Sequence, residues 1–512
     1  MRIVSAASMR RIEENAGNYG ISSHRLMENA GSAAGAFIRR TFEVEGRSFV
    51  IFCGRGGNGG DGFVVARKIY ENNAAVTLVL VDGQPISGES GEMFEMAKAM
   101  DIPMLMLESN AEKIERLVKS SDIIIDAICG TGFKGYLRPL HKQACDIINN
   151  AIAAVVSLDI PSGVECDSGC YDPSSIRADF TVTFDSSKIA HYHPNSNPLC
   201  GIVEVVDIGI PDEAKADIPS LSGILSLEHI LSILKPRPAD CHKGMFGRLL
   251  NISGSGRYRG AATLSCLGAL RAGVGLCVIA STGDVCSAVT SHLPEAILCS
   301  LPCDESGNIN PQKSSELLVD ELAKANAVLL GCGLGEGSHS SRLLENVISS
   351  AKCPIVIDAD GINALSKHIH LLRNAESPVI ITPHPGEMAR LCGVSTADIS
   401  GDRAGFASRF AKDHSVVVVL KGSGTLIASP DGELFLNLTG GPGLAKGGSG
   451  DVLAGIIAAF LAQGINQFDA CACGVYLHGL AGDKAASRRG VYSMLASDIA
   501  LDLSDILLEN GL

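Results

Sequence analysis

Tryptophan is absent from the 512 residues, and phenylalanine and tyrosine are few, so aromatics make up only 4% of the chain. Sandwiches built on aromatic cores are therefore disfavoured, whereas 57 glycines suit α/β folds with many tight strand-to-helix turns. No apolar stretch approaches the roughly 20 residues that span a bilayer; the longest, Val452–Ala462, reads as a buried helix. An N-terminal apolar run is also lacking, because MRIVSAASMRRIEENAG becomes charged and helical within a few residues, so neither secretion nor a membrane anchor is expected. Positive charge is in deficit: a net charge of -14 argues against a sequence-independent grip on nucleic acid. A polyphosphate ligand must then be held locally, by backbone N–H groups, helix N-termini or metal ions. The 17 cysteines include no CxxC pair, and most, such as Cys266, Cys277 and Cys392, lie in apolar stretches. They read as reduced, buried thiols in a cytoplasmic protein.

The length exceeds that of one typical domain several-fold, so at least two cores are expected. Strand candidates Ser48–Cys53, Ala75–Val81, Ile123–Asp126, Ala154–Leu158, Phe180–Phe184 and Ile202–Val206 alternate with amphipathic helical segments, the βαβ rhythm of a parallel sheet. The stretch IPDEAKADIPSLSG then loses periodicity, and the boundary is placed between Pro211 and Gly223. A second alternating series follows: Arg248–Ile252, Val274–Ala280, Ala327–Leu330, Ile355–Asp358, Val379–Thr382, Val416–Leu420 and Gly424–Ala428. The expectation is two α/β domains, residues 1–217 and 225–512.

In the first half, strand Ser48–Cys53 runs into Gly54-Arg55-Gly56-Gly57-Asn58-Gly59-Gly60-Asp61-Gly62, with a helix expected over Phe63–Asn72. Glycines between a strand and a helix N-terminus let backbone approach a phosphate; they also suit a tight connection with no ligand. Two further strand ends carry acidic, glycine-flanked loops, Asp126-Ala-Ile-Cys-Gly-Thr-Gly-Phe-Lys134 and Leu158-Asp159-Ile-Pro-Ser162-Gly163. Beyond the carboxyl ends of a doubly wound sheet, all three loops converge on one crevice. In the second half, Lys421-Gly-Ser-Gly-Thr425 ends an apolar strand, and Gly440-Gly-Pro-Gly-Leu-Ala-Lys-Gly-Gly-Ser-Gly450-Asp451 leads into a helix. A carboxylate at the anion-accepting mouth of a helix suits phosphoryl transfer with Asp451 as base; the alternative is a simple helix cap.

Together these segments resemble a known family. The first half is similar to the N-terminal domain of NAD(P)H-hydrate epimerases, with its GPGNNGGDG, DAxxGTG and LDxPSG patterns, and departs from it at Arg55 and Gly57. The second half resembles the ADP/ATP-dependent NAD(P)H-hydrate dehydratase branch of the ribokinase-like proteins, through LAKGGSGDVLAG, Gly331-Cys-Gly333-Leu-Gly335, Asp358-Ala-Asp360-Gly and Thr382-Pro-His384-Pro-Gly-Glu387, and departs at Cys332. The resemblance implies an N-terminal Rossmann-like three-layer sandwich and a C-terminal ribokinase-like domain. It further implies that the first half epimerises R and S forms of hydrated NADH and NADPH, and that the second dehydrates the S form with ADP or ATP and Mg2+, giving AMP and phosphate. Potassium would be held by Asn58, Asp126 and Ser162. Hydrate contacts in the first half would be Gly57, Asn58, Gly59, Gly60, Asp61, Gly130, Thr131, Gly132, Phe133, Lys134, Gly135, Tyr136 and Asp159, with Asp159 and Lys134 the proton-transfer candidates. In the second, Ala261, Gly333, His384 and Asp451 would bind the hydrate, while Lys421, Gly422, Ser423, Gly424, Thr425 and Gly450 would bind the nucleotide.

Two other readings stay open at this point: a small-molecule kinase fused to an unrelated nucleotide-binding domain, and a first half that serves only as an interaction module. A homo-oligomer is expected on general grounds.

Overall fold

The computed structural model describes residues 2–193, 195–216 and 218–512; the expected outer limits of the first domain, residues 1 and 217, lie outside this set. The chain divides into two compact units, Met1–Ser220 and Leu221–Leu512.

In the first unit, seven strands lie edge to edge in the order Met104–Met106, Ala75–Leu80, Ser48–Cys53, Ile123–Ala127, Ala154–Leu158, Phe180–Phe184 and Ile202–Val206. All neighbours are parallel. A parallel sheet needs both faces covered, and the period-two alternation of the strands provides this. Phe49, Ile51 and Cys53 bury against Ile12, Phe63 and Phe94 on one side. Val50 and Phe52 bury against Ile114 and Ile148 on the other. Three layers result, the Rossmann-like sandwich expected. The helix after the first glycine loop spans Gly57–Tyr70, not Phe63–Asn72. Residues 57–61 thus form its first turn instead of a free loop, because the glycine-rich segment packs hard against the strand: a Cβ on Gly59 would lie 1.8 Å from the Gly54 carbonyl oxygen. Ile3–Val4 pairs with Ser187–Lys188 in a small parallel ladder that periodicity did not signal.

The second unit holds a ten-stranded sheet, ordered Gly223–Ile224, Leu434–Asn437, Thr425–Ala428, Val417–Leu420, Val379–Ile381, Ile355–Ile357, Ala327–Leu330, Arg248–Ile252, Leu276–Thr282 and Ile297–Leu301. Thr425–Ala428 is antiparallel to both neighbours, and the other pairings are parallel. Its core is crossed by helix Ser449–Ala462, apolar all round and buried against Arg259–Arg271. The two helices approach at glycines: a Cβ on Gly455 would stand 2.1 Å from the Ser265 carbonyl oxygen, and one on Gly268 2.5 Å from that of Val452. Among the described residues, no helix is long and apolar enough to cross a membrane.

Candidate functional site

In the first unit, the loops after Ser48–Cys53, Ile123–Ala127 and Ala154–Leu158 meet beyond the carboxyl ends of adjacent strands. Asp126 is wholly buried and accepts from Ser157 Oγ at 2.9 Å, the Ser162 N–H at 2.8 Å, Ser162 Oγ, and the Ile128 N–H at 3.2 Å. Burial still outweighs these donors and raises its carboxyl above the ordinary range. Asn58 Nδ2 donates to the Cys129 carbonyl oxygen at 2.8 Å, while the Cys129 N–H donates to Ser162 Oγ at 2.8 Å. Asn58 Oδ1 is left buried with no hydrogen-bond partner. An orphaned oxygen, a serine hydroxyl and, through that serine, a buried carboxylate are linked at Cys129 and offer the hard oxygens that fit a monovalent cation. The three residues expected to hold potassium are therefore linked in a chain, Asn58 to Ser162 through the backbone of Cys129 and Ser162 to Asp126, and side-chain reasoning had no way to include that backbone.

Asp159 sits just past the end of its strand with φ 64°, a left-handed conformation that an L-residue adopts only when its surroundings enforce it. Those surroundings centre on Lys188, which is fully buried. Its ammonium donates to Asp159 Oδ1, to Thr183 Oγ1 at 2.9 Å and to the Phe184 carbonyl at 3.0 Å, using all three protons. Thr183 Oγ1 also donates to Asp159 Oδ1 at 2.9 Å, and His191 Nε2 lies 2.9 Å from the Asp159 carbonyl oxygen. Burial alone would raise the Asp159 carboxyl, but the Lys188 charge and hydrogen bond outweigh it and hold the group below the usual carboxylate range. Asp61 goes the opposite way: burial, then Asp159 and Glu13, push it well up. Glu13, on the wall of a cleft of about 480 Å³ that Gly57, Asp61 and Met27 also line, is raised to about 7 by desolvation within the cleft and by Asp159. Lys134 and Tyr136 stand exposed on the segment after Gly130, and the cation that reaches Asp159 is Lys188. Sequence reading missed Lys188, Thr183 and Glu13. The one available signal was a lysine four residues past the end of strand Phe180–Phe184.

Of the expected glycine contacts, Gly57 faces open space, as phosphate approach requires. Gly59 is needed by packing against the Gly54 carbonyl, whereas a Cβ on Gly60 would meet the flexible end of Met27, 2.5 Å from its Sδ. Gly130 lies against Asn58, since a Cβ placed on it would stand 3.4 Å from Asn58 Cβ, and Thr131, Gly132, Phe133 and Gly135 follow it in the same segment.

In the second unit, Asp451 lies inside the first turn of Ser449–Ala462 with Gly448 as N-cap, so the simple cap role does not apply. Its carboxyl belongs to a cluster with Asp358 and Cys332 in which one ligand atom from each lies within 4.8 Å of the others. Lys421 Nζ donates to Asp358 Oδ1 at 2.8 Å, and Thr382 Oγ1 donates to the same oxygen at 2.7 Å. Burial first, and Asp358 second, raise Asp451 to about 7 despite Lys421 and the favourable helix end. A Cβ on Gly450 would meet Lys421 Nζ at 3.4 Å, so that position keeps the ammonium and the helix mouth in touch. Gly333 abuts Ala261, its imagined Cβ 2.7 Å from that of Ala261. The turn Lys421–Thr425 is pinned by Arg403, whose Nη1 donates to the Ser423 carbonyl at 2.8 Å and Nη2 to that of Leu420 at 3.2 Å.

His384 caps helix Pro385–Cys392: its Nδ1 accepts from the Gly386 N–H at 3.0 Å, and Glu387 Oε2 accepts from the His384 N–H at 2.8 Å. Its ring is half exposed, facing the same electrostatic centre as Lys421. Asp358 entered the sequence analysis only within Asp358-Ala-Asp360-Gly, without a role, and Arg403 was not singled out. Two acidic residues just past the carboxyl end of Ile355–Ile357 were the signal for the first; nothing local marks the second.

Residues 23–190 match the family model described as YjeF-related protein N-terminus, and residues 249–504 match that of NAD(P)H-hydrate dehydratase. The chain is 38% identical to the bifunctional NAD(P)H-hydrate repair enzyme Nnr of Moorella thermoacetica, over 100% of this chain and 97% of that protein. It is 33% identical to the protein of the same name from Escherichia coli, over 98% and 93%. Among solved structures, an ADP/ATP-dependent NAD(P)H-hydrate dehydratase from Bacillus subtilis, co-crystallized with ATP/Mg2+, is 33% identical, covers 56% of this chain and 98% of that one, and has a TM-score of 0.49. Family matches in both units and full-length similarity to proteins of one name agree: the chain belongs to the family of bifunctional NAD(P)H-hydrate repair enzymes.

Proposed function

We infer that this protein restores hydrated NADH and NADPH, the first unit interconverting the R and S hydrates and the second dehydrating the S hydrate at the expense of ADP or ATP. The observation that carries the reading is Asp451: a carboxyl raised to about 7, at a helix N-terminus, beside a lysine and a glycine turn suited to phosphate. Water leaves a carbon poorly, whereas phosphate leaves well. In this reading Asp451 takes the proton of the C6 hydroxyl as that oxygen attacks the terminal phosphoryl group of the nucleotide, releasing AMP from ADP. The new bond is O–P; the original C6–O bond then breaks with its electrons to phosphate, the ring nitrogen lone pair assists, and the C5 proton passes to solvent, which rebuilds the dihydropyridine. Lys421, the turn through Gly422, Ser423, Gly424 and Thr425, and Gly450 hold the nucleotide; Ala261, Gly333 and His384 flank the hydrate. Magnesium entering with the nucleotide supplies charge neutralisation.

In the first unit, Asp159 is kept ionised and Asp61 kept protonated, a pair whose environments push apart the two states a proton exchange needs. Asp61 protonates the C6 hydroxyl, water departs with help from the ring nitrogen, and Asp159 takes a proton from the water that returns to the opposite face. Lys134 and Tyr136 contribute as contacts from the exposed segment. Potassium, held by Asn58, Asp126 and Ser162, supplies positive charge behind the loops that carry the substrate. All 17 cysteines are free, which supports a cytoplasmic placement.

The test is recovery of dihydropyridine absorbance from mixed-epimer NADHX with ADP and Mg2+. Full recovery is expected, none with Asp451→Asn, and recovery of the S fraction alone, on the time scale of the enzyme, with Asp159→Asn. No recovery with either nucleotide would sink the assignment, and a stable phosphorylated product would make the protein a kinase.

A further inference from the structure

The dehydration site carries a feature that neither proton transfer nor nucleotide binding uses. Cys332, fully buried between Gly331 and Gly333, turns its thiol toward the two carboxylates of the cluster. Asp358, itself 1% exposed, commits Oδ1 to Thr382 and Lys421 and leaves Oδ2 facing Cys332 Sγ, 4.0 Å away. One ligand atom from each of Cys332, Asp358 and Asp451 thus surrounds a single point, all within 4.8 Å of one another. Bonds of roughly 2.0–2.3 Å to a tetrahedral ion place its ligand atoms about 3.5 Å apart, so each atom needs to move by less than about 1 Å. Asp451 is only half-buried, which leaves a fourth position open to water or a phosphate oxygen.

We propose that Cys332, Asp358 and Asp451 form a binding site for a thiophilic divalent cation of the Zn2+ class, and that its occupation blocks the dehydration centre. The ligand set decides the selectivity. Magnesium prefers an all-oxygen octahedron and gains nothing from sulfur, whereas Zn2+ and Cd2+ favour a thiolate. Binding displaces the thiol proton, and that of Asp451 where it is protonated, to solvent, and the resulting three negative ligands are balanced by the divalent ion and the Lys421 ammonium, which stays on Oδ1. A metal there takes the Asp451 carboxylate out of proton transfer. The binding claim is independent of the proposed reaction; the blocking claim rests on it.

Binding is read on the full chain with Cd2+ alone, through the ultraviolet thiolate-to-metal charge-transfer band, which requires no activity. The band of the parent protein should lose a stoichiometric component in both Cys332→Ala and Cys332→Ser, with far-ultraviolet dichroism showing that each folds. An unchanged band in either folded variant overturns the site. Inhibition is read in the dehydration assay at saturating Mg2+ and ADP: the Zn2+ concentration for half-inhibition, each variant referred to its own uninhibited rate, should rise by at least about tenfold on loss of the sulfur. Loss of the charge-transfer component without any change in Zn2+ inhibition would overturn the blocking claim and leave the site. No dehydration in any variant, with the charge-transfer difference intact, would count against the proposed reaction and not against the metal site.

Discussion

At Asp451 two fields oppose each other: the helix end favours the carboxylate, while burial and Asp358 favour the acid, and the acid side prevails, at about 7. A base must be deprotonated to act, so dehydration should rise with pH through about 7 and level off above it. Asp358→Asn removes the like charge and leaves Lys421, so the rising limb should move to lower pH; a pH–rate profile of kcat checks the direction. Asp451→Asn should lower kcat by about 10²–10⁴-fold, the usual worth of a positioned general base. In the first unit, Lys188→Met strands the Asp159 carboxylate without a counter-charge, leaving it only the neutral donors Thr183 Oγ1 and the Phe184 N–H. Breaking such a pair costs roughly 3–5 kcal/mol, so thermal unfolding should fall sharply and epimerisation should vanish. Lys188→Arg should restore more stability than activity, because a planar guanidinium does not reproduce the three contacts of the ammonium.

The helices that open at the two glycine segments show what the element scale adds to single residues. In Gly57–Tyr70 the glycines serve different ends. Gly59→Ala would drive its Cβ into the Gly54 carbonyl at 1.8 Å, while Gly57→Ala meets nothing within 4 Å. Overpacking of this kind costs roughly 1–3 kcal/mol or more. Chemical denaturation should therefore find Gly59→Ala strongly destabilised and Gly57→Ala nearly unaffected, with Gly57→Ala instead raising KM for the hydrate. The strand ends divide in a similar way. Periodicity placed Ser48–Cys53, Ala154–Leu158, Phe180–Phe184, Ile202–Val206, Arg248–Ile252 and Ala327–Leu330 at their observed limits, because β-branched and apolar residues cluster in each between turn-forming or helical segments. Short strands such as Met104–Met106, Ile297–Leu301 and Gly223–Ile224, all beside or at a sheet edge, carry no such demand, and their sequences do not announce them.

On the scale of the whole molecule, each unit has its own sheet and its own core. The two activities should then respond separately. Exchange of K+ for Na+ should slow epimer exchange, read by chromatography of the two hydrates, and leave dehydration of pure S hydrate unchanged, since Asn58, Asp126 and Ser162 all belong to the first unit. Equal loss of both activities on ion exchange would refute the potassium assignment to that unit.

By itself the sequence determined the two α/β units, the break between them, the acidic and glycine-rich loops at strand ends, and the place of Asp451 at the mouth of a helix. These are properties of local spacing, and alternating burial and tight turns write themselves into neighbouring residues. Tertiary structure alone decided which charges face one another. Lys188 reaches Asp159, 29 positions away, and Lys421 reaches Asp358, 63 positions away. Asn58 Oδ1 is orphaned beside a carbonyl that belongs to another loop. Pairings of that kind are set by which strands become neighbours in the sheet, and the resulting burial and Coulomb energies have no counterpart in the order of the residues along the chain.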